Sequence, residues 1–130
     1  LLNCAVQEAD KRYLNSRTLA EWCRKQILNI DPIADFFDTN KYNYIAVYGL
    51  MELGRLLIDK MEQDGVPISF TLDNNRGTRY KDYPIYGPED NFPMADLIIV
   101  TPIVYYDEIT KVLSDRTSSM IVSIEDIIFG

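Results

Sequence analysis

Residues 44–61 read YIAVYGLMELGRLLIDKM, and this stretch limits the fold more than any other. YIAVY is apolar on both faces, as expected of a strand covered by helices on both sides. Gly49 ends the run, and Gly54 follows five residues later. Leu53, Leu57 and Met61 then form one helical stripe, with Gly54 and Ile58 beside it. A doubly buried strand, a tight turn and an amphipathic helix make the first half of a βαβ unit.

The rest of the chain continues that alternation. DGVP at 64–67 ends the helix with a glycine and then a proline. ISFTLD at 68–73 is a second strand, ADLIIVT at 95–101 another doubly buried one, and MIVSI at 120–124 the last. The segment between 74 and 93 reads mostly as loop, with a short strand near Ile85, and Ile109, Val112 and Leu113 mark a helix near 105–116. The order from Tyr44 onward is β-α-β-(β)-β-α-β, which implies an α/β fold of three layers around a parallel sheet of about four or five strands. The N-terminal third reads as helical. Leu2, Val6, Ala9 and Tyr13 outline one helix. Ser16 is placed to cap a second, with Leu19, Trp22, Cys23, Gln26, Ile27 and Ile30 as its stripe. Asp31-Pro32 starts a third, and EDIIFG closes the chain with a short helical turn. The expected organisation is a helical extension, 1–40, packed on a single domain, 41–130; TNKYN at 39–43 is too short to separate independent units.

Composition narrows the partners. A net charge of −7 disfavours nucleic acid and anionic membranes, which repel an acidic surface. No apolar run reaches the roughly 20 residues of a membrane span, and LLNCAVQEAD lacks the basic start and long apolar stretch of a signal peptide. A cytoplasmic location is expected, and a start at Leu1 instead of methionine fits a piece of a longer protein. Cys4 and Cys23 fall in helical patterns and read as buried free thiols; without histidine they make no metal site. The absence of histidine also removes the usual general base and the Ser-His-Asp and Cys-His pairs.

The turn after the first strand carries the strongest functional signal. In a dinucleotide-binding turn the first glycine permits the bend, the second lets the backbone approach the pyrophosphate, and the third lets helix and strand pack closely. Gly49 takes the first role and Gly54 the third, while Met51 stands at the second. Free amides at the start of a helix over 51–63 would still favour an anion, yet the Glu52 carboxylate, facing the site, would repel a phosphate. Asp73 ends the second strand 24 residues after Gly49, near the position, about 20 residues on, of a ribose-binding acid; with Asn74 it equally suits a capped turn. Thr101 and Pro102 follow the strand that borders the crevice of a doubly wound sheet. Tyr105 and Tyr106 are placed to stack on a base or bond a sugar, or to pack the helix start. Tyr80, Tyr83 and Tyr86 line a sugar site or cover a core edge, and Arg76, Arg79 and Lys81 form a modest basic cluster or a solvated loop. No Tyr-x-x-x-Lys dyad is present.

YIAVYGLMELGRLLIDKM, ISFTLDNN, ADLIIVTPIVYYDEI and IVSIEDII together resemble a Rossmann-like domain of bacterial surface-polysaccharide gene clusters, often described as nucleoside-diphosphate-sugar epimerase- or dehydratase-like. Its turn reads Ile-Tyr-Gly-x-Gly-Glu-x-Gly, its second strand ends in Asp, and it closes near Ser-Leu-Glu-Asp-Ile. Gly49, Glu52, Gly54 and Asp73 match; Met51 departs. The helical segment ending ADFFDTNKYNY is similar too, so the resemblance covers most of the chain. It implies a Rossmann-like sheet and an NAD(P) or nucleotide-sugar ligand. That ligand would be held by Gly49, Leu50, Met51, Glu52, Gly54, Asp73 and Thr101, with Asn74, Pro102, Tyr105 and Tyr106 toward a substrate and no metal. It also implies a place beside a glycosyltransferase, as partner or fused module. The alternatives are a non-catalytic module that docks such an enzyme or self-associates into a homo-oligomer, and a stand-alone sugar-nucleotide enzyme using Tyr105 or Tyr106 as acid.

Overall fold

The computed structural model describes residues 2–75 and 77–130, with side chains from Glu8 onward. The sequence readings placed on the side chains of Leu2, Cys4, Val6 and Arg76 lie outside the described residues. Two helices, α1 (Leu2–Ile27) and α2 (Pro32–Thr39), precede β1 (Ile45–Tyr48), α3 (Glu52–Gln63), β2 (Phe70–Leu72) and β3 (Ile85–Tyr86). Then come β4 (Leu97–Val100), a single 3₁₀ turn (Ile103–Tyr105), α4 (Tyr106–Ser114), β5 (Met120–Ser123) and α5 (Ile124–Phe129). The five strands form one sheet in the order β3-β2-β1-β4-β5, and every pairing is parallel. This is the three-layer Rossmann-like α/β architecture implied by the alternating pattern.

Both faces of the central strands are covered, because alternate side chains enter opposite layers. Ile45 and Val47 of β1 and Leu97 and Ile99 of β4 join a core built from α1, α2, α3 and α5. Ala46, Tyr48, Ile98 and Val100 face the other way, onto Leu113 of α4 and the segment around Ala95. All four residues of β1 and of β4 are buried, which is why neither strand alternates in polarity. The two edges differ: Ile85 and Tyr86 of β3 are only half-buried, and Met120 of β5 is exposed.

The N-terminal segment shares the core. Trp22, Ile33 and Phe37 pack in the same cluster as Ile124, Ile127 and Ile128, and Phe36 lies half-buried against it. Lys25 Nζ donates to the Ile128 carbonyl at 2.6 Å and Arg17 pairs with Glu125 at 3.1 Å, so α1 and α5 are joined at their polar rims as well. Asp31 caps α2 as its sequence suggests, accepting from the Ala34 amide at 3.1 Å, with Pro32 in the first turn. The same carboxylate pairs with Lys60 of α3 at 2.6 Å.

Three details differ from the sequence reading. The first two helices are one: α1 runs unbroken through Ser16, which is exposed and caps nothing. Neither glycine nor proline interrupts that stretch, and a mid-helix serine that points to water leaves the ladder intact. The buried face is also rotated from the expected stripe. Thr18 and Trp22 are buried with Leu14 and Leu19 beside them, whereas Ala9, Tyr13, Cys23, Gln26, Ile27 and Ile30 are exposed. Cys23 is therefore an exposed free thiol and not a buried one. The helix stops where Asn29 adopts φ +59 and Ile30 N returns to the Lys25 carbonyl at 2.8 Å, a left-handed cap that turns the chain toward α2.

Candidate ligand-binding cleft

From β1 the chain runs outward through β2 to β3, then crosses back to β4 on the other side of β1. Strand order reverses between β1 and β4, and a crevice opens at their carboxyl ends. A cleft of about 490 Å³ occupies this position. It brings together Gly49, Met51, Glu52 and Gly54 from the first turn, Asp73 and Asn74 after β2, and Thr101, Pro102 and Tyr105 after β4. Lys11 and Asn15 of α1, Pro88 and Glu89 of the long loop, and Glu108, Ile109 and Val112 of α4 complete the wall, with Tyr48 and Leu53 between them.

The two glycines are fixed by distance. Gly49 has φ +99, and a Cβ on it would lie 2.4 Å from Thr101 Oγ1 and 2.8 Å from Pro102 Cδ. A Cβ on Gly54 would lie 1.7 Å from the Gly49 carbonyl oxygen. The start of α3 thus rests directly on the backbone of the turn, the contact that the third glycine of such a turn exists to allow. Thr101 closes the arrangement from β4: its hydroxyl donates to the Tyr48 carbonyl at 2.8 Å and contacts that of Gly49 at 3.1 Å.

The anion-binding half is occupied differently. Leu50 donates its amide to Asp73 Oδ2 at 2.9 Å, and its side chain is buried in the core, away from the cleft. The other Asp73 oxygen accepts from the Asn75 amide at 2.7 Å. Asp73 therefore both caps its own turn and fills one amide of the first turn. Met51 is the N-cap of α3 with no side-chain cap bond. It is 65% exposed, so it edges the opening without plugging it. Of the charged side chains around the cleft, Glu52, Asp73, Glu89 and Glu108 face one cation among the described residues, Lys11. The geometry of the glycines fits a dinucleotide turn, whereas this charge pattern and the engaged Leu50 amide weaken its hold on a pyrophosphate.

Tyr48, the last residue of β1, had no place in the sequence reading of the site. It is 4% exposed and borders the cleft. Burial and then the neighbouring Asp73 charge push its phenol up to about 12. The signal was present in the sequence as a polar-tipped residue at the end of an otherwise apolar strand, immediately before the glycine. Lys11, Asn15, Glu89 and Glu108 carry no such local mark, because distant segments bring them in.

The structure turns other candidates elsewhere. Tyr106 donates to the Ile121 carbonyl at 3.1 Å and packs in the α4-side core. Tyr80 donates to Asp59 at 2.6 Å, Tyr83 donates to Glu62, and both pack against the α3-side core edge. Tyr86 stands edge-on to Phe70. Lys81 pairs with Glu62 and with Asp59, the latter at 3.0 Å, so it is held to α3 and does not line the cleft.

No family model matches the chain, and searches of curated proteins and of solved structures find no match. Among the described residues there is no group of three or more histidine, cysteine, aspartate or glutamate side chains able to hold a metal ion. No helix among them is long and apolar enough to cross a membrane.

Proposed function

We propose that this chain is a Rossmann-like binding domain for a nucleoside-bearing metabolite, NAD(P) or a nucleotide-sugar, and that it serves surface-polysaccharide synthesis in the cytoplasm beside a glycosyltransferase. The observation that carries the reading is the open cleft at the strand-order reversal, bordered by Gly49, Gly54, Asp73 and Thr101. The polysaccharide setting rests on the sequence resemblance alone.

The domain binds without catalysing. A general acid or base works best with a pKa near the operating pH, and the Tyr48 proton is held far above that range. The sequence also contains no histidine. Calorimetric titration of NAD, NADP, a panel of uridine- and guanosine-diphosphate sugars, and the parent nucleosides tests the reading. Saturable one-site binding by any of them, lost in a variant that fills the cleft such as Asn74→Trp with an unchanged fold, supports it. Silence across the panel removes it.

A docking role has one observation in its favour. Ile27, Leu28 and Ile30, in and just after the last turn of α1, are 81%, 52% and 41% exposed, three large apolar side chains within four residues. Sedimentation across a concentration series would show self-association through them, and Ile27→Lys would abolish that association.

A further inference from the structure

Resting on the reading of the cleft as a nucleoside site, we infer that it selects the uncharged, hydroxyl-bearing end of its ligand over phosphate groups, with the Tyr48 hydroxyl as the donor that reads a ligand oxygen. Tyr48 lies at the end of β1, bordering the cleft, and is 4% exposed. Its hydroxyl has no hydrogen-bond partner among the described residues. The residue lines the open cleft, so a hydroxyl that no protein group engages is left to water or to a ligand there. Because its proton is retained to about pH 12, this group is a donor throughout the physiological range. Asp73 stands close enough to act on it electrostatically, and an adjacent donor and carboxylate acceptor suit a hydroxyl, which both gives and takes a hydrogen bond.

A phosphate meets the opposite conditions. Its negative charge would enter among Glu52, Asp73, Glu89 and Glu108, with Lys11 as the one cation of the lining among the described residues. The Leu50 amide, part of the cradle in a phosphate-binding turn, already donates to Asp73. Met51 supplies neither the close backbone approach of glycine nor a charge. Affinity should therefore fall from nucleoside to monophosphate to diphosphate. The loss should be about tenfold or more overall at low salt and should shrink as salt screens the acidic wall.

The test titrates adenosine, AMP and ADP, and uridine, UMP and UDP, into the full chain and into Tyr48→Phe, at low and high salt, with unfolding midpoints measured in parallel. The expected result is a nucleoside bound more tightly than its diphosphate, a gap that narrows with salt, and a loss of about tenfold in nucleoside affinity in Tyr48→Phe. The variant should keep or exceed the unfolding midpoint of the parent, since the hydroxyl makes no bond in the free protein. Diphosphates bound more tightly than nucleosides, or nucleoside binding unchanged in Tyr48→Phe, overturn the inference and leave the nucleoside site standing. If no member of either series binds, the site reading falls and the inference falls with it.

Discussion

Asp73 accepts a hydrogen bond from the backbone amide of Leu50, 2.9 Å away and 23 residues earlier in the chain. That bond ties the end of β2 to the turn after β1, and the same carboxylate orders the next loop through Asn75. An acid at this position thus has a structural task in addition to any contact with a ligand. Asp73→Ala leaves two amides without acceptors, and the part-buried one at Leu50 is the costlier. The expected loss is about 1–3 kcal/mol in urea unfolding. Asp73→Asn keeps an acceptor oxygen and should recover part of that loss; equal stability of the alanine variant and the parent would refute the structural role.

Gly54 and Gly65 give a controlled contrast. A Cβ at Gly54 collides with the Gly49 carbonyl at 1.7 Å, and both partners are backbone, so relief requires α3 to move off the turn. Gly65 has φ +72 but nothing within 4 Å of its Cβ position. Gly65→Ala should cost about 1 kcal/mol, the strain of a left-handed alanine. Gly54→Ala should cost at least about 3 kcal/mol, beyond the usual range for a single substitution. Denaturant midpoints of the two variants decide, and similar losses would mean that the turn has room to relax.

Alkaline pH should unfold the protein through its tyrosines. Burial, followed by the Asp73 charge, raises Tyr48 to about 12, and burial with the Glu62 hydrogen bond does the same for Tyr83. In the unfolded chain both titrate near 10. Between those values the unfolded state has released protons that the folded state retains, so stability is intact below about pH 10 and falls as pH rises toward 12. Tyr48 accounts for about 3 kcal/mol of that loss at most. Spectroscopic titration of tyrosinate should show a late-ionising fraction, and Tyr48→Phe should flatten the fall in unfolding midpoint across the same interval. A midpoint indifferent to pH in both proteins would contradict the burial of the phenol.

The segment before β1 should not be dispensable. Trp22, Ile33 and Phe37 pack with Ile124, Ile127 and Ile128, which lie at the other end of the chain. A 41–130 fragment uncovers that apolar surface, and each large side chain stripped of its partners forfeits about 1.5–3 kcal/mol of burial. It should aggregate or unfold at markedly lower denaturant than the parent, as read by light scattering and circular dichroism. Cooperative unfolding of the fragment at the midpoint of the full chain would show that the helices are an appendage.

The sequence alone determined the parallel α/β sheet, and the reason is local. A strand buried on both faces carries apolar residues without alternation, as in IAVY and LIIV, and no solvent-facing element has that composition. The spacing of Gly49 and Gly54 fixed the turn in the same way, since only glycine tolerates φ +99 against Thr101 and a carbonyl at 1.7 Å. Tertiary structure decided the character of the cleft. Whether Asp73 faces a ligand or a backbone amide depends on how β2 registers against β1, with Val47 opposite Thr71 and Tyr48 opposite Leu72. Whether Tyr48 finds an acceptor depends on which side chains of β2 and β4 flank it. The acidic wall is assembled from α3, the loops after β2 and β3, and α4, and no local pattern encodes a sum of charges across such distant segments. The course of α1 was likewise settled by packing: Ser16 suits a cap, but continuity carries Thr18 and Trp22 into the interior and leaves Ile27 outside, because burial of one face outweighs the weak local preference of a serine.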